Sequence, residues 1–327
     1  MKQKLKDFQY PIIGFAAVIV ILSIVQIKVE RPMLLAERFF NGGGWLTILL
    51  LGSYAAFLIK RMKNPSESAK WRKRSWLLFS FVFFGQLAMG LSGFEKFLMT
   101  GKLHFPIPAL IVGGPLYRMQ LSFMPVLFIS TIVLSGPAWC SQLCYFGAFD
   151  LWASSGKKPV RRAIKHLWAL KFTFLLLVIL MALILRLSGA SNLTASVFSA
   201  IFGILGIAVI LLISPKKGKM LHCVAYCPVG TLVRFMKLIN PFRMYIATNC
   251  NDCMACSLTC RYDALNVENI RQRKPGPTCT YCGDCISSCK TMSIRYRLFS
   301  LKPETARMTW IVITVALHAV FMGLARI

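Results

Sequence analysis

The chain has 327 residues, 56% of them hydrophobic and 15% charged, with a mean hydropathy of +0.61 and a formal net charge of +28. A soluble domain carries nearer a quarter charged residues, so the composition excludes one and points to a polytopic helical membrane protein. The basic excess does not argue for nucleic acid, because Lys and Arg cluster in alternate loops, as the positive-inside bias produces.

Several apolar stretches approach or exceed the 18 residues that cross a hydrocarbon core. The first, Pro11 to Gln26, follows Lys2, Lys4 and Lys6; it is long and no small-residue cleavage site follows it, so it reads as an uncleaved span with a cytoplasmic N-terminus. A nearly neutral outer loop, residues 27–44, leads to span two, Trp45 to Ile59. Lys60 to Arg74 is the clearest cytoplasmic loop, with seven basic residues. Span three, about Ser75 to Phe94, exits into Glu95–Leu116, where Phe105-Pro106-Ile107-Pro108 and Gly113-Gly114-Pro115 predict an apolar connection without regular helix. Span four, Met119 to Ser135, delivers Cys140 and Cys144, and a second basic loop follows. Spans five (about Leu167–Leu187) and six (about Ala195–Ile213) form a hairpin; residues 214–305 are polar, basic and cysteine-rich, and a seventh span, about Met308 to Leu324, follows.

On this topology 31 of the 39 Lys and Arg residues lie inside, which predicts N-terminus in, C-terminus out, and a multi-pass protein of a bacterial-type cytoplasmic membrane. The expected organisation is a two-helix membrane hairpin (1–74), a four-helix membrane core (75–213), a cytoplasmic cysteine-rich segment (214–305) and a C-terminal transmembrane helix (306–327). The fold class is therefore all-α polytopic, about seven transmembrane helices, with an inserted bacterial-ferredoxin-like α+β module. Membrane lipid is an expected partner, and the basic excess can steer anionic headgroups or acidic redox proteins to the inner face.

Residues 250–289 carry the chemistry. Cys250, Cys253, Cys256 and Cys260 read C-x2-C-x2-C-x3-C, and Cys279, Cys282, Cys285 and Cys289 repeat that spacing 29 residues on. Structural zinc uses two separated pairs, not three cysteines in seven residues; this run wraps iron–sulfur cubes, and the fourth Cys of each run ligates the other cluster. Two [4Fe–4S] clusters are expected, one on Cys250, Cys253, Cys256 and Cys289, the other on Cys279, Cys282, Cys285 and Cys260. Arg261 and Lys290 follow the two runs, where a cation beside an anionic cluster would favour its reduced form.

The other four cysteines form a second repeat. Cys140-x3-Cys144-x2-Gly147 matches Cys223-x3-Cys227-x2-Gly230, each after transmembrane spans. A spacing of four places both thiols on one face of a helical turn. Three readings compete: a further metal or cluster site, a redox dithiol pair, or cysteines that pack. Of the histidines, His104, His166 and His222 lie near the expected membrane faces, while His318 is the one ionisable group deep in span seven, a functional candidate or a packed histidine. Glu95 at the outer end of span three is a candidate quinol proton acceptor.

These motifs resemble the ferredoxin-type membrane proteins associated with periplasmic nitrate reductase and the polyferredoxin part of nitrous-oxide reductase regulators. The resemblance runs from about span three to the end of the cluster module. It departs at Tyr145, which stands where the paired motif has Pro, as Pro228 does after Cys227, and in the lack of Pro after each ferredoxin run. The resemblance implies a quinol-dehydrogenase-type subunit that relays electrons between quinol and a redox partner protein. The alternative is an assembly or regulatory factor that reduces thiols or copper and draws electrons from the clusters. No Gly-x-Gly-x-x-Gly fingerprint follows a strand, so a nucleotide or flavin site is not expected.

Overall fold

The structure, a computed structural model, describes residues 2–30, 32–97, 107–120 and 123–324. Its helices are α1 (Lys2–Lys28), α2 (Gly43–Met62), α3 (Pro65–Leu91), α4 (Leu110–Arg118), α5 (Phe123–Ser135), α6 (Tyr145–Ser154), α7 (Leu167–Leu187), α8 (Asn192–Ala208), α9 (Ser214–Lys217), α10 (Pro228–Met236), α11 (Val267–Arg271) and α12 (Pro303–Leu324). Two strands, β1 (Arg243–Ile246) and β2 (Ile294–Arg297), pair with each other. Seven segments are long and apolar enough to cross a membrane: Phe8–Lys28, Gly43–Met62, Pro65–Leu91, Pro125–Leu143, Leu167–Leu187, Asn192–Lys217 and Pro303–Leu324.

The chain forms two compact units, residues 1–105 with 296–327, and residues 106–295. In the first, α1, α2 and α12 share a core of Val18, Leu22, Ile48, Leu58, Ile59, Ile311, Val315 and Ala319. The basic stretch expected as a loop over residues 60–74 is mostly helix. Asn64 caps α3, its Oδ1 accepting the Ser66 N–H at 3.1 Å, and Pro65 occupies the first helical position. The cations stay on the helices by lying over aromatic rings, Arg61 over Phe57 and Trp71 at 5.3 Å each. Arg72 is buried, over Trp76 at 5.3 Å. Hydropathy alone ends a helix where charge begins; these helices do not end there.

In the second unit, the expected irregular connection through Gly113-Gly114-Pro115 is instead helix α4, with Pro115 inside it. Phe105-Pro106 and His104 fall outside the described residues. A Cβ on Gly113 would meet Val178 Cγ1 at 3.4 Å and Ala182 Cβ at 3.9 Å, so this short helix lies close along α7 through its small residues. Span four continues past Ser135 through a 3-10 turn (Gly136–Ala138) and a π turn (Trp139–Leu143).

Between α10 and α12, residues 237–302 contain two strands, the five-residue α11 and a 3-10 turn, Asp284–Ser288. Regular structure is thus sparse there, and side chains fix the loops. Lys219 Nζ contacts Asp263 Oδ1 at 2.5 Å and donates to the Arg162 carbonyl at 2.7 Å, while Asp263 Oδ2 accepts the Ile164 N–H at 2.9 Å. Both side chains are 4% exposed, and removing one member of such a buried pair costs about 3–5 kcal/mol. Asp263→Ala is therefore expected to destabilise the protein by about that amount, read as loss of its thermal unfolding midpoint in detergent. The double variant Lys219→Met with Asp263→Asn should recover most of the loss.

Candidate functional site

The two ferredoxin-type runs share one backbone design. Positive φ angles occur at Asp252 (54°), Met254 (59°) and Asp263 (56°), and recur 29 residues later at Tyr281 (57°), Gly283 (78°) and Met292 (51°). Residues other than glycine enter this region rarely, so the same pattern in both copies marks loops wound the same way around their cysteines. Arg273 braces the first loop, pairing with Asp252 at 2.5 Å and donating to the Cys250 carbonyl at 3.3 Å.

Thiol electrostatics show which cysteines meet. Burial pushes the Cys256 pKa up to about 11, and Cys289, Cys250 and Cys253 add to it. Burial likewise raises Cys260, followed by its neighbours Cys279 and Cys282. Cys285 is raised by burial, then by Cys282, Cys279 and Cys260, and least by Cys256. The structure thus gathers Cys250, Cys253, Cys256 and Cys289 into one group and Cys260, Cys279, Cys282 and Cys285 into another, with Cys256 and Cys285 close enough to interact. Burial raises Cys289 too, but the Thr291 hydroxyl and the N–H groups of Ile294, Ser293 and Thr291 outweigh it and lower its pKa. The Ser293 N–H donates to Cys289 Sγ at 3.3 Å. The second group lines a cavity whose other walls are mainly apolar, from Leu151, Met244, Leu265 and Pro275, with Arg261 and Asp284 also lining it.

The C-x3-C pairs form a third group. Each pair sits on one turn of π-helix, Trp139–Leu143 and His222–Tyr226, with the first cysteine in second place. The wide turn closes through Cys144 N–H to the Trp139 carbonyl (2.9 Å) and Cys227 N–H to the His222 carbonyl (2.8 Å). Cys144 (φ −89°, ψ 114°) and Cys227 (φ −71°, ψ 122°) are extended and cap α6 and α10. The expected α-helical face is therefore replaced by a π turn with its second thiol at the next helix's start. Tyr145 opens α6 as Pro228 opens α10, so the departure at Tyr145 leaves the backbone unchanged. The glycine of the motif has a steric reason at Gly230, where a Cβ would lie 2.5 Å from the Cys223 carbonyl oxygen.

Both turns bring their thiols together. Burial raises the Cys223 thiol well above its usual range, and then Asp150, Cys144, Cys140 and Cys227 raise it further. Burial and Cys227 push Cys144 up to about 12, opposed by the N–H groups of Gly147 and Phe146. Burial also raises Cys227, opposed by the N–H groups of Gly230 and Val229. These helix starts favour negative charge on sulfur. Asp150 Oδ2 accepts the Cys223 N–H at 3.0 Å, and burial pushes this carboxyl up to about 6.

All twelve cysteines are free thiols. Among the described residues no three His, Cys, Asp or Glu side chains converge tightly enough to hold one metal ion. With Zn–S bonds of about 2.3 Å, a zinc site needs its sulfurs within about 4 Å of one another. Four cysteine thiolates are the donor set that an iron–sulfur cube takes.

Links between the groups came from residues that sequence reading missed. Tyr262, two residues after Cys260, donates its hydroxyl to the Cys140 carbonyl at 3.1 Å. Lys237 donates to the Cys279 carbonyl at 2.8 Å and sits over Tyr281 at 4.4 Å. Arg261 does not turn to a thiol: it donates to the carbonyls of Ser154, Lys157 (3.1 Å) and Gly218 (2.9 Å), clamping α6 to the cysteine loops. Lys171, in span five, donates to the Val224 carbonyl at 2.9 Å; a lone charge in an apolar run was its available signal.

Of the described histidine and glutamate candidates, His222 stands on a cysteine turn, next to Cys223. His318 is buried in the first unit, its Nε2 3.1 Å from the Tyr54 hydroxyl and its ring 5.3 Å from Phe79, a packed and hydrogen-bonded histidine. Glu95 and His166 are exposed. His222 is buried between Phe146 (5.8 Å) and Tyr226 (5.4 Å), and burial lowers its pKa to about 4.

Comparison with known proteins meets this geometry at the third group. The family described as "4Fe-4S binding domain" matches residues 119–163 and 199–242, the two segments that hold Cys140 with Cys144 and Cys223 with Cys227. A curated Escherichia coli (strain K12) protein named "Putative electron transport protein YccM" is 26% identical over 239 residues, covering 66% of this chain. The chain matches 63% of that relative's length. No solved structure matches.

The crossed grouping of the first eight cysteines has a direct test. Cys289→Ser should perturb the same paramagnetic signal as Cys250→Ser, and Cys260→Ser the same signal as Cys279→Ser. Pairing by sequence run instead would overturn it.

Proposed function

We propose that the chain is a membrane-bound electron-transfer protein with three [4Fe–4S] clusters, relaying electrons between the quinone pool and a redox partner protein. The observation that carries this reading is the gathering of all twelve cysteines into three quartets. Cys250, Cys253, Cys256 and Cys289 hold the first cluster, Cys260, Cys279, Cys282 and Cys285 the second, and Cys140, Cys144, Cys223 and Cys227 the third. The family match over residues 119–163 and 199–242 supports the third, and the relative's name supports electron transport. Bound [4Fe–4S] clusters supply one-electron transfer, while the protein supplies position, shielding and potential.

The residues divide that work. The paired φ pattern and β1–β2 hold the first two quartets in a bacterial-ferredoxin-like arrangement. Leu151, Met244 and Leu265 keep water from the second quartet, and Tyr262 joins its shell to the turn carrying Cys140. The third quartet lies at the ends of spans Pro125–Leu143 and Asn192–Lys217, where membrane-dissolved quinol can approach. Exposed Leu176, Leu180 and Ile184 on α7 and Ile201 and Ile204 on α8 present apolar surface to lipid. The bias of Lys and Arg towards alternate loops supports a cytoplasmic position for the cluster segment at a bacterial-type membrane. This reading agrees with the resemblance to quinol-dehydrogenase-type ferredoxin membrane proteins.

Anaerobically purified protein is expected to contain about twelve irons per chain, four per cube. Cys223→Ser should remove about four of them and one paramagnetic signal. Menaquinol or ubiquinol analogues should reduce the wild-type clusters. Failure of every quinol to do so would sink the quinone partner, and about eight irons would sink the third cluster.

A further inference from the structure

Lys171 lies in an apolar span, LWALKFTFLLL, yet its side chain is buried at 3% exposure. Its Nζ donates to the Val224 carbonyl at 2.9 Å and reaches the Gly230 carbonyl at 3.5 Å. Val224 is inside the second π turn and Gly230 stands against the Cys223 carbonyl, so the ammonium is pinned onto the C-x3-C turn. Its charge interacts with Cys140, Cys227 and Cys223.

Its hydrogen-bond partners among the described residues are these carbonyls, and no carboxylate pairs with it there. A buried ammonium with only carbonyl partners is costly. The other charges at this place do not relieve it. Arg234, from α10 and over the Trp168 ring, is a second cation facing it. Asp150 Oδ2 instead accepts the Cys223 N–H at 3.0 Å. What is left to balance Lys171 is the sulfur quartet, which becomes anionic when it holds iron, because ligating thiols lose their protons.

We infer that Lys171 is the fixed counter-charge of the Cys140, Cys144, Cys223 and Cys227 site and raises the reduction potential of the group bound there. This rests on the three-cluster reading. Reduction adds one electron and breaks no bond, so the added negative charge meets an ammonium already in place, and the reduced form gains more from it than the oxidised form. Lys171 acts as a positioning residue: it touches the backbone of the ligand turn, not the iron.

The test uses the full chain, purified anaerobically, as Lys171→Met, Lys171→Gln and Lys171→Arg, with iron counts and a redox titration followed by paramagnetic resonance. The neutral variants are expected to keep about twelve irons and to lower the reduced-to-oxidised ratio of the third signal at least tenfold at a fixed potential. That is a shift of about 59 mV for a one-electron couple. The other two signals should hold, and Lys171→Arg should restore the third. Loss of the third signal in both neutral variants, with the others intact and Arg restoring it, supports the same charge requirement. Full iron with an unmoved potential in the neutral variants, or an Arg variant that behaves like Met, overturns the inference. About eight irons in the wild type would instead overturn the three-cluster reading, and the role of Lys171 with it.

Discussion

Four largely covered cysteines from two helical turns meet, Cys227 buried and the other three partly so, and the second unit is arranged around that meeting. Burial alone works against thiolates there, raising Cys223, Cys227 and Cys144. Low dielectric makes any negative charge expensive until something answers it. The answers are local and specific. Each second cysteine caps a helix whose first N–H groups face its sulfur, and each π turn widens the backbone so that the cap can form. Gly230 lets α10 start against the Cys223 carbonyl without a side chain in the way. Lys171 adds a full positive charge on the second turn.

The ferredoxin-type runs meet the same problem with loops instead of spans. In each run the second cysteine, Cys253 or Cys282, follows a residue held at positive φ, a conformation that persists only where surroundings fix it. Those surroundings are largely cationic side chains working through backbone carbonyls. Arg261 holds the end of α6, Lys237 holds Cys279, and Arg243 holds the carbonyls of Leu238 (3.0 Å) and Phe242 (2.7 Å). Much of the basic excess near the cysteines therefore closes loops, which is why Arg261, expected beside a cluster, points to carbonyls. A guanidinium suits this task because it offers five donors in a fixed fork.

Seven spans were legible from hydropathy because burial in hydrocarbon leaves a continuous apolar run. Their ends were less legible. The helical register continues through Lys60–Arg61 and Lys70–Arg74 because arginines can lie on neighbouring rings, and α4 forms through two glycines and a proline because α7 accepts a close neighbour. Both are tertiary effects with no local signature. The cysteine spacings pointed to two repeats, and the backbone of each is repeated in the structure. They did not reveal that a C-x3-C pair straddles a π turn, since four residues on an α-helix and four across a π turn read identically. Tyr145 and Pro228 look different in sequence, yet both follow an extended cysteine and open a helix. Tyr262 and Asp150 contact the site across more than seventy residues of chain, and nothing near them in sequence announces it.

The two C-x3-C turns share a backbone but not their surroundings, and the difference is informative. In the repeat, Asp150 corresponds to Val233, so the helix after the first turn carries a carboxylate that reaches the second turn, with no counterpart in return. Lys171 also attaches to the second turn, through Val224 and Gly230. The first turn instead receives Tyr262, whose hydroxyl ties the Cys140 carbonyl to the loop after Cys260. A duplicated scaffold has thus been given two faces. One is bonded to the ferredoxin-type loops by neutral contacts, and the other holds the buried charges. Because Coulomb energy falls with distance and dielectric, charges on one face act unequally on the four sulfurs. An electronically symmetric quartet would require the charged residues to repeat along with the cysteines, and they do not.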